Sequence, residues 1–238
     1  MEDIAPELYA QINKAYREAA RSDKKLIALA KKIQSGKGTQ ADLAAVAERL
    51  GVHASDALKT YLVVENLPDG KCYWNIAEKT IRPVLENVHS VVNGLASYEQ
   101  RAVDVKHGVN VAVKTGRDPF EHIRTVMGFA SNSATGEELA NALSDPVKTA
   151  ALDFLDDFQK ANAEERAGVG VKQYVIRTYD GVGLKAGDCH WCIERAGTWD
   201  YEDAKNNGVF ERHPGCGCTI EVVYEDELPQ ADYKSVPF

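Results

Sequence analysis

No run of uncharged apolar residues comes near the eighteen or so that a membrane-spanning helix needs. The start, MEDIAPELYAQ, is acidic and lacks the apolar core of a secretory signal. Both absences lead us to expect a soluble protein made in a cytosol, with no membrane partner. Basic excess is lacking too: 36 Asp and Glu stand against 28 Lys and Arg, for a formal net charge of −8. Proteins that grip phosphate backbones generally carry a basic footprint, so DNA contact is not favoured. The deficit is uneven. From Asp188 onward there are eleven acidic residues and four basic ones, whereas the first 34 residues lean slightly basic. An acidic end is repelled by DNA; it suits a basic protein partner or is a solvated surface.

Catalytic signatures are also missing. The chain has no H-E-x-x-H, no G-x-S-x-G and no phosphate-binding loop. GVGVKQ follows no strand, so it is not a dinucleotide fingerprint. The zinc deaminase pattern, H-x-E followed by P-C-x-x-C, is not met by HWC or by HPGCGC. Cys72, in KCYWNIAEK, reads as a half-buried thiol in a helix, and Asp156 and Asp157, in FLDDF, as the polar side of one. We therefore name no catalytic residue and expect no enzyme.

What is present comes in two parts. Apolar residues recur at three and four places over about the first 165 residues, a helical period. Residues 2–34 read as one helix ended by SGKG; TQADLAAVAERL as a second, closed by Gly51; and SDALKTYLVVENL as a third. From Tyr73 to about Lys114 the pattern is helical again, with Pro83 marking an early turn or kink. DPFEHIRTVMGFAS and DPVKTAALDFLDDFQKANAEERAG both open on Asp-Pro, a helix-start device. The character then changes. VKQYVIRTYD (171–180) and CTIEVVYE (218–225) alternate and are rich in β-branched and aromatic residues, so they read as strands. The expected class is α+β: a helical body over 1–167, then a small metal-stapled, β-rich domain over 168–238, divided at AGVGV.

Four of the five cysteines lie between the strands, as Cys189-x2-Cys192, twenty residues, then His213-x2-Cys216-x-Cys218. A C-x2-C turn lets two sulfurs converge on one ion, and a second knuckle supplies the remaining pair. Thiols reduced in a cytosol are free to ligate metal. The spacing predicts one structural zinc per chain. Cys189 and Cys192 supply half the set, and the other half comes from His213, Cys216 and Cys218. We favour Cys189, Cys192, His213 and Cys218, with Cys216 nearly equal, and expect His190 to point outward. A redox C-x-x-C opens a helix, and none is evident after Cys189. Core packing and disulfides formed outside a cytosol are the other readings of these thiols. Trp191, Trp199 and Tyr201 could stack on bases but read as packing around a small metal domain.

These residues resemble the C-terminal domain of the Mu F-type minor head proteins of tailed bacteriophages, in the version found in phages of Gram-positive bacteria. CHWCIERAGTW is similar to its C-x-x-C-x-x-x-x-G-x-[YVF] element, and RHPGCGCTIEVVYE to its H-P-x-C-x-C-T element. Upstream, FLDDFQKANAEERAGVGVKQYVIR and HGVNVAVKTGRDPF resemble the segments that precede the cysteines there. The likeness covers roughly 105–226; IERAG replaces the commoner xxLAG, and EDAKNNG stands where a Pro-containing loop is usual. The resemblance implies a structural role: a minor capsid component of the virion head, associated with the portal vertex during assembly in the host cytoplasm. It further implies contact with the portal protein, with major capsid or scaffold protein as further partners, and an influence on DNA packaging or ejection. The alternatives are a nucleic-acid-binding zinc module and an accessory enzyme delivered with the virion.

Overall fold

The computed structural model describes residues 3–179 and 189–228. Seven helices make the body: α1 (Ala5–Ser22), α2 (Lys24–Gln34), α3 (Gln40–Tyr61), α4 (Trp74–Lys106), α5 (Phe120–Asn132), α6 (Gly136–Ala142) and α7 (Asp145–Gly168). Their buried faces merge into one apolar core that runs from Leu8 and Ile12 of α1 through Leu58, Ile81 and Leu85 to Phe154 and Phe158 of α7. The C-terminal part adds β1 (Gln173–Thr178), α8 (His190–Arg195), β2 (Gly197–Asp200), α9 (Tyr201–Asn206) and β3 (Thr219–Tyr224). The strands form an antiparallel sheet in the order β2-β1-β3, with Val175 facing Val222 on one side and Trp199 on the other. Both expected strands are therefore paired, on either side of the cysteine segments. Of the expected small domain, 180–188 and 229–238 lie outside the described residues.

Three features of the body differ from the sequence expectation, each for a local reason. The helix expected over 2–34 breaks at Asp23, whose backbone ends α1 while its carboxylate accepts from the backbone N–H groups of Lys25 and Leu26, each at 3.0 Å. Arg49 of α3 pairs with both Asp23 oxygens (2.7 and 2.9 Å) and His53 lies 2.8 Å away, which draws the carboxyl well below its usual range. Gly51 does not end a helix but sits inside α3, where α3 crosses α7. A Cβ there would stand 3.0 Å from the Ala151 Cβ and the Lys148 Cα, so only glycine lets the two backbones approach this closely. Pro83, expected at an early turn or kink, lies well inside α4, which runs through it for 33 residues. The missing hydrogen bond is offset by burial of Ile81, Val84, Leu85 and Val88, each at most 1% exposed.

The sheet is fastened to the body by polar side chains. The Gln40 amide pairs with both backbone groups of Val222 and so covers part of the free edge of β3. Gln159 donates to the Ile220 carbonyl, and Gln173 to that of Ala163. The deepest tie is an ion pair: Arg166 of α7, fully buried, grips both oxygens of Asp104 of α4, and the Tyr224 hydroxyl of β3 donates to the same carboxylate at 2.9 Å.

Replacing Gly51 with valine is expected to push α3 from α7 and to cost about 2 kcal/mol of stability through overpacking. The measurement is the urea unfolding midpoint at unchanged slope; an unchanged midpoint would show that the crossing has room to spare.

Candidate metal centre

Two short segments bring the predicted ligands together. Cys189 stands at the head of α8, which the sequence reading did not foresee; its six residues bury only Cys192 and so leave no periodic signal. One turn in, Cys192 faces the same side as Cys189. The second knuckle, HPGCGC, turns at Gly215, which adopts φ +80°, a conformation that favours glycine. The Gly215 backbone N–H donates to Thr149 of α7 at 2.8 Å, holding the turn against the body.

The donor atoms converge. The His213 Nε2 lies 3.2 Å from the Cys189 sulfur and 3.1 Å from that of Cys192, and the Cys192 and Cys216 sulfurs are 3.7 Å apart. Cys189, Cys192 and His213 form one compact group, and Cys192, Cys216 and Cys218 a second, each with donor atoms within 4.8 Å of one another. Cys192 belongs to both. Around an ion with metal–sulfur bonds of about 2.3 Å, tetrahedral edges are about 3.8 Å between sulfurs and about 3.6 Å from sulfur to nitrogen. The separation of the Cys192 and Cys216 sulfurs fits that size, while the two sulfur–nitrogen separations are shorter, at hydrogen-bond distance. The His213 Nδ1 lies 3.0 Å from the Pro214 carbonyl oxygen; a carbonyl only accepts, so Nδ1 carries the proton and Nε2 presents its lone pair to the sulfurs. All five candidate residues are thus brought to one place, and they form a possible metal-binding site. All five cysteines of the chain are free thiols. His190 is exposed, as expected.

Charge surrounds the sulfurs. Arg177 of β1 is buried; it donates to the carbonyls of Val209 (2.6 Å) and Glu211 (2.7 Å) and to the Cys216 sulfur at 3.3 Å. Arg212 donates to the Cys218 carbonyl at 2.6 Å, and its guanidinium pairs with both oxygens of Asp156 of α7. A hydrogen bond from Cys218, with help from both guanidiniums, holds the Cys216 thiol down at about 4, while burial pushes Cys192 up to about 11. Donation to Cys216 raises Cys218. Trp191 packs edge-on against His213 and carries the Arg177 and Arg195 guanidiniums over its ring at 4.9 and 4.1 Å. It therefore serves the packing expected of it. Asp156 corrects an expectation: it lies not on the polar side of α7 but buried, 2% exposed, because Arg212 comes from the distant knuckle to meet it.

A second polar cluster lies beside this centre. A cleft of about 410 Å³ between α5, α7 and the segment around Pro214 is lined by His122, Asp153 and Asp157. The His122 Nε2 is 2.9 Å from Asp157 and its Nδ1 3.5 Å from Asp153. Burial pushes the Asp153 carboxyl up to about 7, and the hydrogen bond to Asp157 raises His122. The sequence reading named none of this trio except Asp157. The available signal was the i, i+4 spacing of Asp153 and Asp157 on one helix face; nothing in the sequence places His122 against them. No family model matches the chain, and searches of curated proteins and of solved structures likewise found no match.

Because the folded Asp153 carboxyl titrates above its ordinary value, its contribution to stability is full at acid pH and is lost as pH rises toward 7. His122, also raised, loses its contribution in the same direction. Asp153→Asn is expected to flatten the fall in stability between pH 5 and pH 8 by roughly 2 kcal/mol, read from urea unfolding at both pH values. A wild-type fall equal to that of the variant would refute the assignment.

Proposed function

We propose that the chain is a structural protein whose C-terminal module is held by one zinc ion, and that it serves as a minor head component of a tailed bacteriophage, docked at the portal vertex during assembly. The observation that carries the structural reading is the donor count. Four thiols and an imidazole offer five donors where a tetrahedral ion takes four. A shell so supplied is closed, with no position kept for a water or a substrate, and closed shells are the mark of structural rather than catalytic zinc. Thiolate-rich donors, with the Pro214 carbonyl orienting the imidazole, suit zinc among the divalent ions. The resemblance of CHWC and HPGCGCT to the Mu F-type elements supports the phage assignment. The long helical faces and the acidic end suit contact with portal, capsid or scaffold proteins better than contact with DNA.

An accessory enzyme is the second reading. Its specific support is the cleft holding His122 between Asp153 and Asp157, two titrating groups with displaced pKa values in one concavity. That cleft is separate from the sulfurs, so the metal would remain structural in either case.

Two measurements test the proposal. The reduced chain, purified without added metal, is expected to carry about one zinc per chain by elemental analysis. Cys189→Ser and Cys192→Ser should each lose it, with loss of near-ultraviolet circular dichroism from the module; a zinc-free wild type would refute the metal assignment. Independently, expression together with the portal and major capsid proteins of its phage should place the chain in assembled particles at a low, fixed copy number that falls to zero when the portal is omitted. A chain found only free would refute the head assignment and leave the metal assignment standing.

A further inference from the structure

A cleft of about 500 Å³ opens on the other side of β3, between α4 and the loop that leads into α3. It shares no residue with the sulfur centre. Three glutamates, Glu99, Glu221 and Glu227, and one lysine, Lys106, line it. Glu99 of α4 lines it and is only 5% exposed. Among the described residues no donor satisfies the Glu99 carboxylate, which is influenced by burial and by the charges of Glu227, Asp104 and Glu221, all unfavourable, and opposed only by Arg166. Arg166 is already committed to Asp104. Burial and these charges push Glu99 up to about 8, so near neutral pH the cleft holds it as the acid, and a bound cation favours its ionised form with release of one proton. Glu221 of β3 lines the same cleft and is raised by burial alone. The third carboxylate, Glu227, pairs with Lys106 at 2.5 Å, and the His107 Nε2 lies 3.0 Å from it. Lys106 also lines the cleft but is committed to Glu227, so among the described residues Glu99 and Glu221 face the concavity with no cation paired to either.

The walls decide which cation fits. Ala102, Val103 and Val223 give the cleft apolar sides, beside Thr39, Gln40 and the Lys106 stem. Its volume falls in the range of about 300–1,000 Å³ of small-ligand sites. A bare divalent ion needs six or more oxygens at about 2.1–2.6 Å. Among the described residues, only the Cys and His groups bring three ligand atoms within 4.8 Å of one another.

We propose that this cleft binds an organic cation with an alkyl stem, its ammonium or guanidinium group held between Glu99 and Glu221 and its methylenes laid along Ala102, Val103 and Val223. A free amine and a lysine or arginine side chain of a protein partner present the same chemistry.

The test is calorimetric titration of the full chain with 1,5-diaminopentane, with agmatine, with an end-blocked tripeptide carrying one arginine, and with calcium chloride. At least one organic probe should bind at a one-to-one ratio, and Glu99→Gln and Glu221→Gln should each weaken it about tenfold or more, the loss expected when one charged hydrogen bond is removed. Glutamine keeps the shape of glutamate, so both variants retain the fold, and their unfolding midpoints report this. Tightest binding of the tripeptide points to a partner's side chain, and tightest binding of the amines to a small molecule. The proposal is overturned if no organic probe binds, if both variants bind as the wild type does, or if calcium binds at these glutamates in preference to the organic probes.

Discussion

Two buried guanidinium groups, Arg177 and Arg212, set the terms on which the C-terminal module folds. Taking a charge out of water costs several kcal/mol unless partners replace the lost hydration. Arg212 finds a full carboxylate, Asp156, and a carbonyl. Arg177 finds two carbonyls and sulfur, and its Nε has no partner among the described residues. Its charge is therefore balanced chiefly by thiolate. The dependence runs both ways. Several thiolates within 4.8 Å of each other repel, so without a cation among them only one is readily ionised, and Cys216 is the one both arginines reach. A divalent ion held among them would let further thiols ionise. Arginine and sulfur cluster are one electrostatic unit.

That unit is anchored through α7. The same helix presents Asp156 to Arg212, Thr149 to Gly215, Gln159 to β3 and Arg166 to Asp104. Along it, polar residues that would be solvated on an isolated helix are buried, because each meets a group from the later part of the chain. α7 is thus less amphipathic than its neighbours for a physical reason: it has two cores to serve, the helical one through Phe154 and Phe158 and the sheet through Ala163.

This explains how much was legible in the sequence. The helices of the body were, because each buries one stripe and so repeats at 3.6 residues. Both long strands were, because they alternate. The convergence of the four cysteines and His213 was, because each knuckle sets its donors within three or four residues and so writes their grouping into local spacing. Hidden were the facts that depend on distant partners. Asp23 breaks a helix because Arg49 and His53 come to it from α3. Gly51 looks like a helix end until α7 is seen crossing it. Asp156 looks like a surface acid until Arg212, 56 residues later, is placed beside it. The short α8, β2 and α9 span at most six residues each, too few for a period to show.

The arrangement also separates holding from recognition. The sulfurs are enclosed: Cys192, Cys216 and Cys218 are each at most 3% exposed. Cys216 and Cys218 reach the wall of one concavity, and three concavities share one property. The cleft at His122, a second lined by Ala44, Thr149 and Thr219, and the cleft at Glu99 each take one wall from the helical body and the other from the C-terminal module. All three are seams. Their shapes are fixed by the ties across them, and those ties trace back to buried charges whose balance includes the sulfur centre. A perturbation at the centre that loosens Arg212 from Asp156 acts directly on the His122 cleft, which Arg212 lines, and on the Glu99 cleft only through β3 and Gln40. The strength of coupling should fall in that order, since packed cores transmit small shifts through contiguous contacts. A change at the sulfurs can in this way reach two clefts, at His122 and at Glu99, that no sulfur lines.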